Sequence, residues 1–310
     1  MSTVPRSGGA MGNRRPTPQW PQARKLPRRP ASTLAERWTR IDDVDVFYRE
    51  SPHAPPDARV MAHIHGFGLS GRYLLPTAER LADEFHTYVP DLPGFGRSGK
   101  RRDMLDIPDL ARVAVDFLDD RGVRKATLVG NSMGCPVIIE CAHRYPERVD
   151  RAVLVSPAGG LFNQPLRRAI RQLSADAPRE PTRMARVAVP DYVRFGVPST
   201  MRMFRALTQY PSLERLLELR IPTLVVLGQR DPLLPHAHRI DEIASQTDSH
   251  VLIVLLEGAA HAINFSHPGQ LAHVIRLFMD DLPIENDPEW PGHVRLYEVH
   301  RGTHHPPAKS

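Results

Sequence analysis

The chain has 310 residues, 41% of them hydrophobic and 25% charged, a composition typical of a globular protein with a sizeable core. The sequence contains no apolar run long enough to span a membrane, and we expect no secretory signal peptide. The net charge of +6 comes from residues 1–31, which contain seven basic residues and no acidic residue. Because residues 32–310 are nearly neutral, we do not expect a nucleic-acid partner.

The N-terminal segment, residues 1–35, is predicted to be a disordered tail rich in arginine and proline. The segment has few apolar residues, so the burial of apolar surface cannot offset the conformational entropy that the segment would lose on ordering. The charge also fits an arm that binds nucleic acid or a membrane surface, or an organelle transit peptide. Since nothing aromatic or amphipathic organises the arginines, we favour an extension without a specific role, with Met11 as an alternative start.

The two cysteines lie on one predicted helix, and their spacing does not suit a disulfide. Cys135 and Cys141 are six residues apart, which places them on different faces of a helix. We therefore expect a reduced, cytoplasmic protein in which Cys135 is a small core residue.

Strands and helices alternate over most of the chain. Strands are predicted at residues 44–48, 60–64, 87–89, 125–129, 152–155, 223–227 and 251–256, and helices at residues 73–85, 107–118, 135–143 and 267–282. Asp106 is the expected N-cap of the second helix. Residues 158–220 contain no clear strand and several helical stretches interrupted by prolines, and residues 294–299 could add one more strand. This alternation predicts an α/β fold with a mostly parallel sheet.

Residues 130–134, Gly-Asn-Ser-Met-Gly, match the pattern G-x-S-x-G between a predicted strand and a predicted helix. This is the context of a nucleophile elbow, a sharp turn that holds a serine in strained backbone geometry. Gly130 and Gly134 would let the strand and the helix approach without a clash of Cβ atoms. The helix N-terminus beneath Ser132 would stabilise developing negative charge.

A serine nucleophile needs a general base and an acid that orients this base. His261 and Asp231 follow the last two predicted parallel strands, whose carboxyl ends meet at one edge of the sheet. We therefore predict Ser132 as nucleophile, His261 as base and Asp231 as the orienting acid. His267 is the competing base, but it precedes Pro268 at an apparent helix start, where we expect it to cap the helix.

Over residues 36–282 the chain resembles the α/β-hydrolase superfamily. Four segments carry the resemblance in the order of that superfamily: His65-Gly66-Phe67-Gly68, Asp91–Ser98, the elbow, and the Asp231/His261 pair. The resemblance implies a mostly parallel central sheet flanked by helices, with residues 36–157 and 221–282 as the core. It also implies a helical cap inserted at residues 158–220, followed after the core by a C-terminal tail at residues 283–310.

The resemblance also implies an oxyanion hole made of two backbone N–H groups, those of Phe67 and Met133, with Gly68 as the alternative to Phe67. His65, Asp91 and Arg97 are expected to hold loops rather than to react. Some members of the superfamily place the acid after the strand that ends at residue 155. That position reads Ser-Pro-Ala here, without a carboxylate, which favours Asp231.

Three functions fit these residues, and we favour the first. It is a serine hydrolase that cleaves a carboxylic ester or related acyl compound through an acyl-enzyme on Ser132. The second is a carbon–carbon bond hydrolase of the meta-cleavage-product type, whose elbow resembles residues 128–134. The less polar loop at residues 65–69 and Cys135, where those enzymes generally have glycine, count against it. The third is a ligand-binding, receptor-like α/β-hydrolase with little turnover.

The expected partner is a small-molecule acyl substrate bound between the sheet edge and the cap. Neither a cofactor nor a metal is predicted, because a glycine-rich phosphate loop is absent and His236 and His238 have no third ligand nearby. The cap holds eleven arginines and five acids, which we interpret as a solvated surface rather than an attractor of anionic substrate. The oligomeric state is left open. Candidates for the roof of the acyl pocket are Met184, Tyr192, Phe195, Met201, Met203, Phe204 and Tyr210.

Overall fold

One nine-stranded sheet runs through the computed structural model, which describes residues 34–101, 105–158, 168, 171–172, 175–233, 251–285 and 296–301. The strands are β1 (Ala35–Ile41), β2 (Val44–Glu50), β3 (Val60–Ile64), β4 (His86–Pro90), β5 (Ala126–Asn131), β6 (Val149–Val155), β7 (Thr223–Gly228), β8 (Val251–Leu256) and β9 (Leu296–Arg301). Their order is β1-β2-β4-β3-β5-β6-β7-β8-β9. The strands from β4 to β8 in this order are parallel, and β1, β2 and β9 extend the sheet by antiparallel pairing.

Helices cover both faces of this sheet. They are α1 (Leu75–Leu81), α2 (Ile107–Asp120), α3 (Gly134–Arg144), α4 (Thr182–Phe195), α5 (Val197–Gln209), α6 (Ser212–Glu218), α7 (Ile263–Ser266) and α8 (Pro268–Met279). The predicted N-cap Asp106 is confirmed, since its side chain accepts a hydrogen bond from the Asp109 backbone N–H and the Asp109 side chain accepts one from the Asp106 backbone N–H. No helix among the described residues is both long and apolar enough to cross a membrane.

Two apolar cores lie on opposite faces of the sheet, because neighbouring residues of a strand point to opposite sides. Leu128 belongs to the core that includes α2 and α3, whereas Val129 belongs to the core that includes α8 and the end of α1. Every residue of β5 and of β7 is buried, as expected for parallel strands with helices on both sides. The predicted fold class, a mostly parallel sheet flanked by helices, is thus confirmed.

The two outer strands differ from the sequence-based prediction. β1 is not predicted by the sequence pattern because it is an edge strand whose residues 36–38 are all exposed, so it lacks apolar alternation. β9 confirms the additional strand suggested at residues 294–299, displaced by two residues. Residues 1–33 of the predicted tail lie outside the described residues, as do His236 and His238.

Between β6 and β7 the described residues contain helices and turns but no strand, as the proline-rich sequence predicts. This inserted segment rests on the loops at the carboxyl edge of the sheet. The ring of Phe195 stacks on Phe95 with centroids 4.7 Å apart and meets Phe67 edge-on at 5.8 Å. The Tyr210 hydroxyl donates a hydrogen bond of 2.6 Å to Oε2 of the buried Glu140 in α3. Aromatic packing and one buried hydrogen bond therefore hold the inserted helices over the sheet edge.

Candidate active site

The turn between β5 and α3 holds Ser132 in the left-handed region, with a φ of 58°. This conformation costs a non-glycine residue about 1–2 kcal/mol, and the surrounding backbone maintains it. A Cβ atom on Gly130 would lie 2.7 Å from the Gly134 backbone, and one on Gly134 would overlap the carbonyl oxygen of Ile64. Both glycines therefore permit the close approach that the sequence predicts, and the serine stands at the strand end.

Asp231 and His261 meet because β7 and β8 are neighbours, so the loops that follow them lie side by side. Nδ1 of His261 donates a hydrogen bond of 2.7 Å to Oδ2 of Asp231. The other carboxylate oxygen accepts from the Leu233 backbone N–H at 2.9 Å. Two acceptor contacts fix the carboxylate, and the carboxylate in turn fixes the orientation and tautomer of the imidazole.

His267 does not compete for this position. Its ring contacts the Ser266 hydroxyl at 2.9 Å instead of Asp231. It occupies the residue before α8, as expected, but its side chain makes no capping hydrogen bond, so this part of the prediction is wrong.

Ser132 and His261 line one cavity of about 660 Å³, whose wall is mostly aliphatic and aromatic. The volume lies in the range of sites that enclose small organic ligands. Among the described residues no direct hydrogen bond joins the Ser132 hydroxyl to the His261 ring; such bonds are often long before a substrate binds. The structure thus brings all three predicted residues to one place, two of them lining the cavity and Asp231 behind the histidine.

The pKa of His261 results from opposing effects. Burial alone would lower it, but the charge and hydrogen bond of Asp231, together with the charges of Asp176 and Glu180, raise this pKa to about 9. The imidazolium form is therefore strongly stabilised.

Asp176 and Glu180 reach the histidine loop from the inserted segment. Oδ1 of Asp176 accepts from the His261 backbone N–H at 3.3 Å, and Oε1 of Glu180 accepts from the Ala262 N–H at 2.6 Å. Burial raises the pKa of both carboxyl groups, that of Glu180 to about 7. Both residues also line the cavity. Their two hydrogen bonds hold the inserted segment against the loop that carries His261, the proposed base.

A buried polar network surrounds the serine. The Asn131 side-chain amide donates to the carbonyl oxygens of Val155 and His261, both at 3.1 Å. Its Oδ1 accepts from the Tyr73 hydroxyl at 2.8 Å, and this hydroxyl accepts from the Gly66 N–H at 2.8 Å. The chain of bonds joins the elbow, the end of β6, the histidine loop and the loop after β3. It fixes their mutual positions with fully paired buried groups.

The predicted oxyanion donors belong to Met133, which follows Ser132 directly, and to Phe67, in the loop after β3. Met133 begins the turn into α3, and Phe67, in the loop after β3, lines the cavity. Within the described residues, neither of their backbone N–H groups donates a hydrogen bond. The N–H of Gly66 is engaged by Tyr73. Two unengaged donors beside Ser132 are suited to an oxygen that gains negative charge.

The residues expected to hold loops do so. Nδ1 of His65 contacts the Gly66 carbonyl at 3.0 Å, and its Nε2 accepts from the Leu92 N–H at 2.9 Å. The Asp91 carboxylate accepts from the backbone N–H groups of Gly71 at 2.8 Å and Arg97 at 2.9 Å. These bonds tie the loop after β3 to the loop after β4, and the former carries Phe67.

The roof candidates fall into three groups. Met184, Tyr192 and Phe204 line the cavity, as predicted. Phe195, Met203 and Tyr210 are buried in the large core cluster, and Met201 is 50% exposed. Apolar side chains on both sides of a helix give the same sequence signal, so the sequence could not separate these groups.

Within the described residues, no three His, Cys, Asp or Glu side chains are arranged to hold a metal ion. Cys135 is buried beneath the elbow, where its thiol contacts the carbonyl oxygens of Gly130 and Val155 at 3.4 Å. Burial raises its pKa far above the usual range, so the thiol stays protonated and acts as a small core residue.

The sequence model of the alpha/beta hydrolase family matches residues 60–274, which include the elbow and the aspartate and histidine loops. The chain belongs to the alpha/beta hydrolase family. It is therefore a hydrolase. Ser132, Asp231 and His261 follow the carboxyl ends of strands β5, β7 and β8.

Similar proteins include several that are named for ester cleavage. This hydrolase is 27% identical over 245 residues to the pimeloyl-[acyl-carrier protein] methyl ester esterase of Aeromonas salmonicida, covering 70% of this chain and 93% of that protein. It is 27% identical over 205 residues to a poly(3-hydroxyalkanoate) depolymerase of Ectopseudomonas oleovorans, covering 59% and 71%. A solved structure of a membrane phospholipase A matches with a TM-score of 0.68 and 25% identity, covering 81% of this chain and 87% of that one.

Four residues of the hydrolase site carry no assignment from the sequence: Tyr73, Asn131, Asp176 and Glu180. Asn131 sits inside the elbow motif, and its position next to Ser132 is the one signal that could have found it. The two acids lie in the inserted segment, where no strand end places them near the histidine. Their contacts depend on how that segment packs.

Proposed function

We propose that this hydrolase cleaves a carboxylic ester or a related acyl compound through an acyl-enzyme on Ser132. One observation carries the proposal: His261, hydrogen-bonded to Asp231 at 2.7 Å, lines the same apolar cavity as Ser132, which has a positive φ. A nucleophile, a base and an orienting acid together form the set that acyl transfer requires.

In the first half of the reaction, the Ser132 oxygen attacks the substrate carbonyl carbon while Nε2 of His261 takes the hydroxyl proton. The carbonyl oxygen becomes an oxyanion, which accepts hydrogen bonds from the N–H groups of Phe67 and Met133. Collapse of this intermediate breaks the bond to the leaving group, and His261 returns the proton to it. The product of this half is an ester of Ser132 with the acyl group.

In the second half, His261 takes a proton from water, whose oxygen attacks the acyl-enzyme. The acid is released and the Ser132 hydroxyl recovers its proton. Asp231 stabilises the imidazolium in both halves, which agrees with the raised pKa of His261.

The inserted helices are proposed to act as a cap that selects the acyl group. Their side chains Met184, Tyr192 and Phe204 line the same cavity as Ser132. Such a wall favours an apolar acyl chain because transfer of its methylene groups from water is favourable. The esterase and depolymerase names of the similar proteins support an ester as the substrate bond.

The proposal is tested by the hydrolysis of 4-nitrophenyl esters with short to medium acyl chains. Ser132→Ala should lower kcat/KM roughly a thousandfold or more, because it removes the nucleophile. The matched control is Ser156→Ala, at the end of the neighbouring strand. Ser156 also has a positive φ, of 47°, and its hydroxyl has no partner among the described residues, yet it does not line the cavity.

Equal activity of Ser132→Ala and the wild type would overturn the proposal. Turnover of a vinylogous diketone but of no ester would favour carbon–carbon cleavage instead. Saturable binding without any product would favour the receptor-like alternative.

A further inference from the structure

Exposed apolar side chains are concentrated on the outer side of the inserted helices. Among the described residues, seven large apolar side chains are exposed, and five of these lie between residues 189 and 201. Val193 and Val197 are 77% and 76% exposed. Single exposed apolar residues are common on soluble proteins, whereas a cluster of this kind marks an interaction surface.

The exposed residues form one surface because of their spacing. Val189 and Val193 are four residues apart on α4, and Val197 and Met201 are four apart on α5, so each pair shares a helix face. Only Gly196 separates the two helices, which keeps the pairs adjacent. We call these four residues the outer face.

The outer face is distinct from the side of each helix that packs into the protein core. The inner sides of the same helices are buried through Met184, Val187 and Phe195 in α4 and through Met203 and Leu207 in α5. Both helices are therefore apolar on two sides, and only the inner side is covered by the protein. Covering the outer side would remove further apolar area from water.

The surroundings of the outer face are positively charged. Five arginines of α4 and α5 are all exposed: Arg183, Arg186, Arg194, Arg202 and Arg205. Asp191 is the one acidic residue of the two helices, and its Oδ2 accepts hydrogen bonds from the backbone N–H and the hydroxyl of Ser70 at 2.8 and 2.6 Å. A small cavity of about 150 Å³ next to α5 is lined by Lys100, Arg101 and Arg202. The charge complements an anionic partner.

The outer face leads into the cavity that contains Ser132. Val189 is 59% exposed and also lines this cavity, as does its neighbour Tyr192. The outer face and the cavity thus share an apolar residue, Val189.

We propose that the outer face docks the protein on a lipid–water interface that carries anionic headgroups. Aliphatic side chains would enter the boundary between headgroups and acyl chains while the arginines contact the headgroup phosphates. A second copy of the chain is disfavoured as the occupant, because two such faces would bring ten arginines together. Delivery of an acyl substrate to Ser132 rests on the proposed function, but docking itself does not.

The test is sedimentation of the full chain with vesicles of phosphatidylglycerol or of phosphatidylcholine. The wild type should bind phosphatidylglycerol vesicles more tightly, and salt should weaken the binding. Val193→Gln/Val197→Gln should lower the partition coefficient roughly tenfold or more, because two aliphatic side chains are lost from the outer face. Neither valine lines the cavity, so hydrolysis should not change. Arg202→Gln/Arg205→Gln should lower binding to phosphatidylglycerol by a similar factor.

The matched control is Leu282→Gln, which removes another exposed apolar side chain, 52% exposed, outside the outer face. It should bind vesicles as the wild type does. All these variants should hydrolyse a soluble short-chain ester at the wild-type rate, which shows that they are folded. Ser132→Ala should lose hydrolysis and keep vesicle binding, so failure of the proposed function and failure of docking give different results.

Absence of binding by the wild type would overturn the docking proposal, and so would unchanged binding by Val193→Gln/Val197→Gln. The basic residues 1–31 remain in every variant. Binding through them would therefore persist in Val193→Gln/Val197→Gln and would appear as unchanged binding, which overturns the proposal. A halving of the solution mass by Val193→Gln/Val197→Gln in light scattering would identify the outer face as an interface between copies, which also overturns the proposal.

Discussion

The Tyr73 hydroxyl and the Asn131 amide decide the geometry around Ser132. Both are buried, and each of their polar atoms has a partner among the described residues. Gly66 and Phe67 are adjacent, so the bond from the Gly66 N–H to Tyr73 restrains the loop that carries the Phe67 N–H. One hydroxyl thereby positions a group that the proposed mechanism places at the oxyanion.

Tyr73→Phe should reduce kcat for ester hydrolysis roughly tenfold or more with little change in KM, because the oxyanion donor would be mispositioned. It should also lower the free energy of unfolding by about 1–3 kcal/mol, since two buried groups lose their partner. Steady-state kinetics and urea unfolding would measure both effects. The control is Tyr48→Phe, which removes a partly buried hydroxyl that accepts from Arg121 and does not line the cavity. Equal kcat in the two variants would contradict the assigned role.

At the scale of elements, the turn at residues 175–181 connects the inserted helices to the proposed base. Asp176 and Glu180 accept hydrogen bonds from consecutive backbone N–H groups, those of His261 and Ala262. The second oxygen of Glu180 is buried and has no partner among the described residues. Burial accordingly raises the pKa of this carboxyl to about 7. The contact of Asp176 and Glu180 with this loop places negative charge near the His261 imidazole. The pKa of His261 therefore depends on the position of the inserted segment.

Glu180→Gln should shift the pH dependence of kcat/KM to lower pH. The glutamate charge is one of the causes that raise the pKa of His261 to about 9, so its removal lowers that pKa. The neutral form of His261, which acts as the base, is then populated at lower pH. Glutamine keeps an oxygen that can accept from Ala262. Rates would be measured from pH 6 to about 10 under kcat/KM conditions, with the exposed Glu214→Gln of α6 as control. An unchanged or more alkaline profile for Glu180→Gln would contradict this coupling.

At the scale of the whole molecule, His63 makes stability depend on pH. It lies in β3 beside Val129 of β5, is fully buried, and neither ring nitrogen has a partner among the described residues. Burial lowers its pKa from 6.5 to about 3, because a charge there would have no solvation. The unfolded chain takes up this proton near pH 6.5 while the folded chain does not. Stability is therefore lost as the pH falls from about 6.5 toward 3.

His63→Leu should remove this dependence. Relative to the wild type, its free energy of unfolding should rise by about 1.5 kcal/mol as the pH falls from 6.5 to 5, because leucine cannot bind a proton. Urea unfolding at several pH values would measure the difference. His53→Gln, a change at an exposed histidine, should run parallel to the wild type. A His63→Leu curve parallel to the wild type would show that this histidine does not control acid stability.

Local sequence patterns were enough to predict the class of fold, the central strands and helices, and the residues Ser132, Asp231 and His261 of the candidate site. Apolar periodicity reports how each buried strand and helix faces its core, and this is a local property. The ends of neighbouring parallel strands must lie at one edge, so motifs at those ends predict the meeting of Asp231 and His261. Edge strand β1 was not predicted, because its exposed residues show no apolar periodicity.

Long-range packing determines which further side chains complete the site and which surface of the inserted helices stays uncovered. Glu180 and Ala262 are 82 residues apart, and Tyr73 and Asn131 are 58 apart, so their hydrogen bonds follow from packing that no local pattern encodes. The same holds for apolar residues of the inserted helices. Periodicity marks Met184 and Met201 alike, but the fold turns the first into the cavity and leaves the second in solvent, because burial depends on what the rest of the chain places opposite each helix face.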